Sequence, residues 1–396
     1  MARNFTGGLV LGMVALAGFG AAALFAFAGP LDPPSGAVAS TYKTLTEVEP
    51  RIAISATNTP GDANSLFRIT QPGSYYLTGN ITGVSGKSGI EIAAARVTLD
   101  LNGFSVVGVT DSLDGIVNDS SSRNGLIVRN GTVASWGQDG IHLVNASSAS
   151  FIIEDISAIS NAGDGIYANG ALVRNCHVAL NTLNGIAGVS AAIGCVARDN
   201  VAQGIQVTNG GTISECTAFE NGTYGLYAGN GVNITNSCAY NNVGIGIILF
   251  GDGLIKNCSA SNNGADGING QAGTTIIDCV CSDNAADGIV VLNDSLVRGN
   301  TCNGNASDGI FVSSTNNCRI EGNIMNDNGR GLHVIGAGNV IVRNTASANT
   351  VVNWSIAANN VVGPILNRTA PASAAISGDS APSSLGSTDA NANYTH

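Results

Sequence analysis

Apolar residues in this chain alternate over runs of three. After a recurring glycine comes an aliphatic residue (Ile116, Ile141, Ile166, Ile186, Ile205, Leu226, Ile247, Ile268, Ile289, Ile310, Leu332). A variable position follows, then a further apolar or small residue such as Leu143, Ala168, Val207, Leu249 or Val312. Period-two alternation over so short a run predicts a short strand with one face in a core. A second apolar pulse precedes the next turn, as in Leu172-Val173, Leu254-Ile255, Ile276-Ile277 and Leu296-Val297. The glycine itself recurs at 115, 140, 165, 185, 204, 225, 246, 267, 288, 309 and 331. A period of about 20–25 residues with no heptad pattern predicts a solenoid, whose repeats bury a continuous core only by stacking.

The polar positions recur in phase. Four residues before the glycine stands an asparagine: Asn161, Asn181, Asn200, Asn221, Asn242, Asn263, Asn284 and Asn305. Stacked at one strand spacing, roughly 4.8 Å, such amides can hydrogen-bond from coil to coil. The glycine is expected to supply a positive φ or a close approach at the corner. Cys176, Cys195, Cys216, Cys258 and Cys279 fall nine residues before a repeat glycine and Cys238 eight before, with Cys281 and Cys302 as a second short row. One cysteine per coil at one phase predicts an inward ladder of free thiols behaving as small hydrophobes. Parallel neighbours are poorly aimed for a disulfide, and no cysteine has a histidine partner at metal-site spacing. These features predict an all-β fold, a parallel β-helix of about 11–13 coils with an N-terminal cap and a disordered C-terminal tail.

The N-x-x-x-G-I phrase, clearest at 263–268, 284–289 and 305–310, resembles the right-handed parallel β-helix repeat of pectin-lyase-like proteins. Gly73–Asn80 and Val97–Phe104 resemble the first coils of exported bacterial β-helix proteins without assigned activity. The resemblance spans roughly residues 65–365. It implies the fold and leaves the reaction open, because that fold hosts lyases, hydrolases, epimerases, adhesins and structural proteins.

Composition narrows the partners. The net charge is −11, charged residues make up 11%, and no basic stripe with interleaved aromatics exists, which excludes nucleic acid as an expected partner. Polyanionic glycans are disfavoured unless a divalent cation bridges them. Residues 1–28 read as a signal peptide, with Arg3 ahead of an uncharged stretch of 22 residues and Ala26-Phe-Ala28 as a cleavage site. An uncleaved N-terminal anchor, the sole membrane contact expected, is the alternative. Either way the protein is expected to be exported: secreted, periplasmic or on the cell surface. Residues 29–40 read as a linker, 41–366 as the β-helix domain with a cap over 41–75, and 367–396 as a low-complexity tail.

Two rows carry candidate chemistry. The residue before the glycine reads Asp114, Asp139, Asp164, Asn184, Gln203, Tyr224, Ile245, Asp266, Asp287, Asp308, Arg330. Asp266, Asp287 and Asp308 would stand about 5 Å apart on successive coils, a separation that suits a retaining glycosidase. Crowding would raise one pKa, as a general acid requires. With Arg330 assisting, the same carboxylates could hold Ca²⁺ in a lyase. The plainer reading is that Asp-Gly is turn chemistry, repeated because the turn repeats. No coil is long enough to wall off a cleft, and the motif sets of polygalacturonase-like hydrolases and mannuronan epimerases are missing.

The second row, two residues past each glycine, should point outward. It includes His142, Tyr167, Gln206, Tyr227, Asn269, Phe311 and His333, side chains able to stack on sugar rings and bond hydroxyls. No metal or cofactor is assigned. The leading expectation is surface or polysaccharide recognition without catalysis. The alternatives are a polysaccharide lyase or hydrolase using the Asp row, and a structural spacer or adhesin.

Overall fold

A computed structural model describes residues 49–119, 123–144, 151–313, 316–367 and 389–396. The expected signal segment and linker lie outside the described residues. Arg51–His396 forms one compact unit. Within it the strands stack as a parallel β-solenoid of about 14 turns, with no helix among the described residues.

Each regular coil contributes three short strands to three sheets. One coil supplies Ile268–Gly270, Thr275–Ile277 and Val280–Ser282. The next supplies Ile289–Val291, Leu296–Arg298 and Thr301–Asn303, paired in parallel so that Ile268 faces Ile289, Thr275 faces Leu296 and Val280 faces Thr301. The first strand of each regular coil buries its outer positions, and in most coils its middle one is partly exposed, as the alternation predicts, whereas Ile248 and Val290 are buried; Ile268, Ile289 and Ile310 are wholly buried. A buried isoleucine contributes about 1.5–3 kcal/mol, so the stack of aliphatic residues is the main source of stability.

The corners are held by side-chain ladders. Between the third strand of one coil and the first of the next, Asn161, Asn181, Asn200, Asn221, Asn242, Asn263, Asn284 and Asn305 are all buried. Asn242 donates from its backbone N–H (3.2 Å) and from Nδ2 (3.0 Å) to Oδ1 of Asn263, and Nδ2 also reaches the Ala218 carbonyl at 3.1 Å. The predicted coil-to-coil amide bonding is therefore present. The repeat glycines owe their place to close approach: a Cβ on Gly267 would lie 2.7 Å from both the Gly288 carbonyl and Asn284 Nδ2. Positive φ is instead carried by the residue before each ladder asparagine, such as Asn241, Asn262 and Asp283. Short polar side chains tolerate this region best.

A second ladder joins the second and third strands. It runs through Cys176, Cys195 and Cys216, continues as Ser237, then Cys258, Cys279, Asn300, Asn323 and Asn344, all buried. All nine cysteines are free. Cys238 corrects the expected ladder: Ser237 occupies the corner and accepts the Cys216 N–H at 3.2 Å. Cys238 moves onto the adjoining strand, half-buried and opposite Thr217 and Ser259. A one-residue offset turns a side chain to the other face. Cys281 and Cys302 are register neighbours in the core, as their spacing suggested. Burial pushes the Cys281 thiol up, keeping it neutral.

The ends differ in detail from expectation. Ser65–Ile69 already pairs with Ser88–Ile92, and Gly73–Tyr76 with Val97–Asp100. Ile52–Ala53 in turn pairs in parallel with Gly73–Tyr76, so stacked strands begin inside the stretch 41–75 expected as the cap. Trp354 packs on the far end of the core and donates to Thr395 Oγ1 at 2.7 Å. Of the tail, 368–388 lie outside the described residues, whereas Asn393–Thr395 is a docked strand.

Candidate functional site

The first sheet aligns the middle residue of every strand on one outward row. Pairings run Val117–His142–Tyr167 at one end and Gln206–Tyr227–Ile248–Asn269–Val290–Phe311–His333 further on. Between them the row is interrupted. Ala187-Gly188 bulges so that Val189 pairs with Val207, and Ala187 is buried. The row thus resolves into three groups.

At one end His142 stacks on Tyr167 with ring centroids 5.0 Å apart, and at the other Phe311 stacks on His333 at 4.8 Å. The middle group is aromatic and concave. Gln206, Tyr227 and Phe250 line a cleft of about 630 Å³ with Asn209 and Asn230. Tyr227 lies 5.0 Å from Phe250 and 5.9 Å from Tyr224, both tilted. Phe250 is largely exposed, at 43%. Phe250 and Tyr224 fall outside the alternating row, so the sequence pattern did not select them. The signal was local: Asn209-Gly210-Gly211, Gly229-Asn230-Gly231 and Phe250-Gly251-Asp252 place glycine-rich stretches on successive coils beside the cleft. Asn269 belongs to a different environment, where it donates to Asp266 Oδ2 at 2.9 Å and accepts from Gln271 Nε2 at 2.9 Å.

The row before the glycine runs beside this strip and forms another ladder. Asp114 Oδ1 accepts the Asp139 N–H (2.9 Å), Asp139 Oδ1 that of Asp164 (2.6 Å) and Asp164 Oδ1 that of Asn184 (2.7 Å). Asp266 Oδ1 accepts the Asp287 N–H at 3.3 Å and Asp287 Oδ1 that of Asp308 at 2.8 Å. One oxygen of each carboxylate is thereby committed to the backbone of the next coil. Burial raises the pKa of Asp114, Asp164 and Asp287, against the backbone hydrogen bonds that lower it.

Asp308 is enclosed. It is 1% exposed and accepts from Arg330 Nε (2.5 Å), Arg330 Nη2 (3.1 Å) and His333 Nδ1 (2.8 Å). The structure therefore brings Asp266, Asp287, Asp308 and Arg330 onto successive coils as expected. It joins His333 to them and ties up both oxygens of Asp308.

At the other end His142 Nδ1 meets Asp139 Oδ2, leaving Nε2 for a ligand. Among the described residues, Asp114, Asp139 and His142 offer ligand atoms that all lie within 4.8 Å of one another, a geometry able to take a cation. Asp114 and Asp139 stand on successive coils, and stacking of these coils creates the group. His142 and His333, at opposite ends of the row, do not meet. In the remaining charged row Asp100, Arg129, Glu154 and Arg174 alternate in sign along the second sheet, with the arginines partly exposed and Asp100 buried.

A family model described as a right-handed β-helix region matches residues 80–238 and 226–366. No curated protein matches the chain. The A-module of the Azotobacter vinelandii mannuronan C-5 epimerase AlgE6 has a TM-score of 0.56 at 15% identity, over 69% of this chain and 90% of that one. Two further structures align with lower scores. Bacteriophage CBA120 tailspike protein 3 gives 0.40 at 14% identity, over 93% of this chain and 72% of its own. The periplasmic alginate epimerase AlgG gives 0.38 at 13% identity, over 77% and 78%. At these identities the likeness is one of fold.

Proposed function

This chain belongs to the right-handed β-helix family, and we propose that it recognises a polysaccharide along the outward strip of its first sheet, with Tyr227 and Phe250 as the stacking platform. The carrying observation is the cleft in which Gln206, Asn209, Asn230, Tyr227 and Phe250 converge. Rigid aromatic faces contribute contact area at small entropic cost, and the adjoining amides supply donors and acceptors for hydroxyls. Beyond the cleft the same face presents Tyr167 and His142 on the far side of the Ala187-Gly188 bulge, and Asn269, Phe311 and His333 on the other side, so an extended polymer has further contacts at intervals along the sheet. The epimerase whose module shares this fold is a mannuronan epimerase, which supports a polymeric sugar as the ligand class. Export through residues 1–28 is part of the same proposal, since it brings the strip to extracytoplasmic glycans.

Affinity electrophoresis of the full chain through gels containing single polysaccharides, with and without Ca²⁺, tests the reading. Retardation by at least one polymer, with the polymer left intact, is the expected result. Shortening of a polymer would instead move the assignment to catalysis by the Asp266, Asp287, Asp308 and Arg330 row. No retardation by any polymer would leave the structural-spacer alternative.

A further inference from the structure

The last strand does not follow the order of the coils. In the third sheet, Thr345–Ser347 should be followed by Ile365–Asn367, the next strand in chain order. Instead Asn393–Thr395 lies between them. Tyr394 pairs in parallel with Thr345 on one side. On the other, Asn393, Tyr394 and Thr395 pair with Ile365, Leu366 and Asn367. The Tyr394 N–H donates to the Asn344 carbonyl at 2.9 Å and the Asn393 N–H to the Pro364 carbonyl at 2.7 Å, so both edges of the strand are hydrogen-bonded.

The inserted strand also completes a side-chain ladder. Asn393 is wholly buried. Its Oδ1 accepts from the Asn344 N–H at 2.9 Å and from Asn344 Nδ2 at 3.3 Å, while its own Nδ2 donates to the Gly363 carbonyl at 2.9 Å. Thr395 faces inward and accepts from Trp354 Nε1. The sequence carries the same signal. Asn393-Tyr394-Thr395 repeats the plan of Asn323-Ile324-Met325 and Asn344-Thr345-Ala346: a ladder amide, an outward residue, an inward one. The segment imitates one coil strand and fills a rung that the coil path of residues 361–367 leaves to it.

We infer that the slot between residues 344–347 and 363–367 is a peptide-binding site for an extended strand of the pattern Asn-x-Thr. The segment 389–396 fills it within one molecule, and the same segment of a second copy fills it in exchange. Main-chain pairing along both edges gives the affinity, as in strand addition to a sheet edge, and the buried asparagine gives the register. The pairings along both edges and the ladder bonds are made by Asn393, Tyr394 and Thr395 themselves, so a separate peptide of this segment can make them.

The test uses the full chain carrying Asn393→Ala, which weakens the resident strand, and a fluorescein-labelled peptide of Asp389–His396. Saturable uptake is expected, read as anisotropy. Unlabelled wild-type peptide should compete at least tenfold more effectively than the Asn393→Ala peptide. Absence of saturable uptake by a variant with an unchanged circular-dichroism spectrum, or equal competition by both peptides, overturns the proposal. Should Asn393→Ala fail to fold, the same titration on Thr395→Ala, which keeps the ladder and removes the Trp354 hydrogen bond, reads the same two results.

Discussion

His142 Nδ1 lies 2.5 Å from Asp139 Oδ2 within one coil, while Asp139 Oδ1 is held by the Asp164 N–H of the next. The hydrogen bond to Asp139 raises the His142 pKa against the opposing effect of burial. A histidine with a raised folded-state pKa contributes stability that is fully present below its unfolded value, about 6.5, and is lost as pH rises through the folded value. Asp139→Asn keeps the acceptor for Asp164 and removes the charge. It is expected to lower the His142 pKa, read from the ring protons by NMR titration. The stability difference from wild type should be largest below about pH 6.5 and shrink above the folded pKa. An unchanged titration would refute the pairing.

The carboxylates raised by burial act in the same direction over a more acidic window. Asp114, Asp164 and Asp287 have folded pKa values above their ordinary value of 3.8. Between the unfolded and folded values the native state binds more protons, so their contribution to stability falls as pH rises. Asp287→Asn, which retains the Oδ1 acceptor for Asp308, should flatten that dependence in urea titrations across this window. A slope equal to that of wild type would contradict the burial.

The asparagine ladder should be costly to interrupt. Asn242→Ala deletes the Nδ2 donor to Ala218 and Asn263 and removes the Oδ1 that accepts the Asn221 backbone N–H. A loss of about 2–4 kcal/mol is expected in urea unfolding, because buried amides are left unpaired. Asn209, an exposed residue of the strand Ile205–Ser214 that accepts the Asn230 N–H, is the contrast: its replacement by alanine should cost less than about 1 kcal/mol. Equal effects would mean that the ladder contributes nothing of its own.

Glycine offers a parallel comparison. Gly267→Ala would place Cβ 2.7 Å from a backbone carbonyl, whereas a Cβ at Gly79 would meet nothing within 4 Å and φ there is ordinary. The first should destabilise by about 1–3 kcal/mol. The second should be neutral or stabilising by up to about 1 kcal/mol. Thermal melts of the two variants decide.

Thiol accessibility follows from the phase of the ladder. Cys238 is half-buried and the other eight of the nine cysteines are buried. Ellman's reagent should modify Cys238 first in the native protein and reach all nine after denaturation. Cys216→Ser should be mild, because Ser237 already serves the same corner by donating to the Thr235 carbonyl at 2.8 Å. Cys281→Ser buries a hydroxyl among apolar neighbours and should cost more.

The solenoid was legible because one corner repeats its chemistry without change: the same asparagine and the same glycine return in fixed phase from Asn161 to Asn305. The corner joining second and third strands was half legible, because its occupant changes from cysteine to serine to asparagine while the geometry stays constant. The corner that runs Ser295, Cys318 and Asn339 went unread for the same reason. Cys318 donates its N–H to Asn339 Oδ1 at 3.0 Å although the two side chains share no chemistry. The outward row follows from alternation, but Ala187 leaves it where Gly188 inserts a bulge, and Ile248 and Val290 are buried within it. Phe250 was missed because a turn residue has no period to betray it. Asn393 was missed because its strand returns after an excursion, and no repeat spacing links it to Asn344.

The central claim is that Tyr227 and Phe250 form the platform on which a polysaccharide rests. The most direct measurement is the dissociation constant of the full chain for the polymer that retards it, compared with the Tyr227→Ala, Phe250→Ala double variant. Each stacking contact is expected to contribute about 1 kcal/mol, so the double variant should bind at least tenfold more weakly with unchanged thermal stability. An unchanged constant would contradict the account and move recognition away from this cleft.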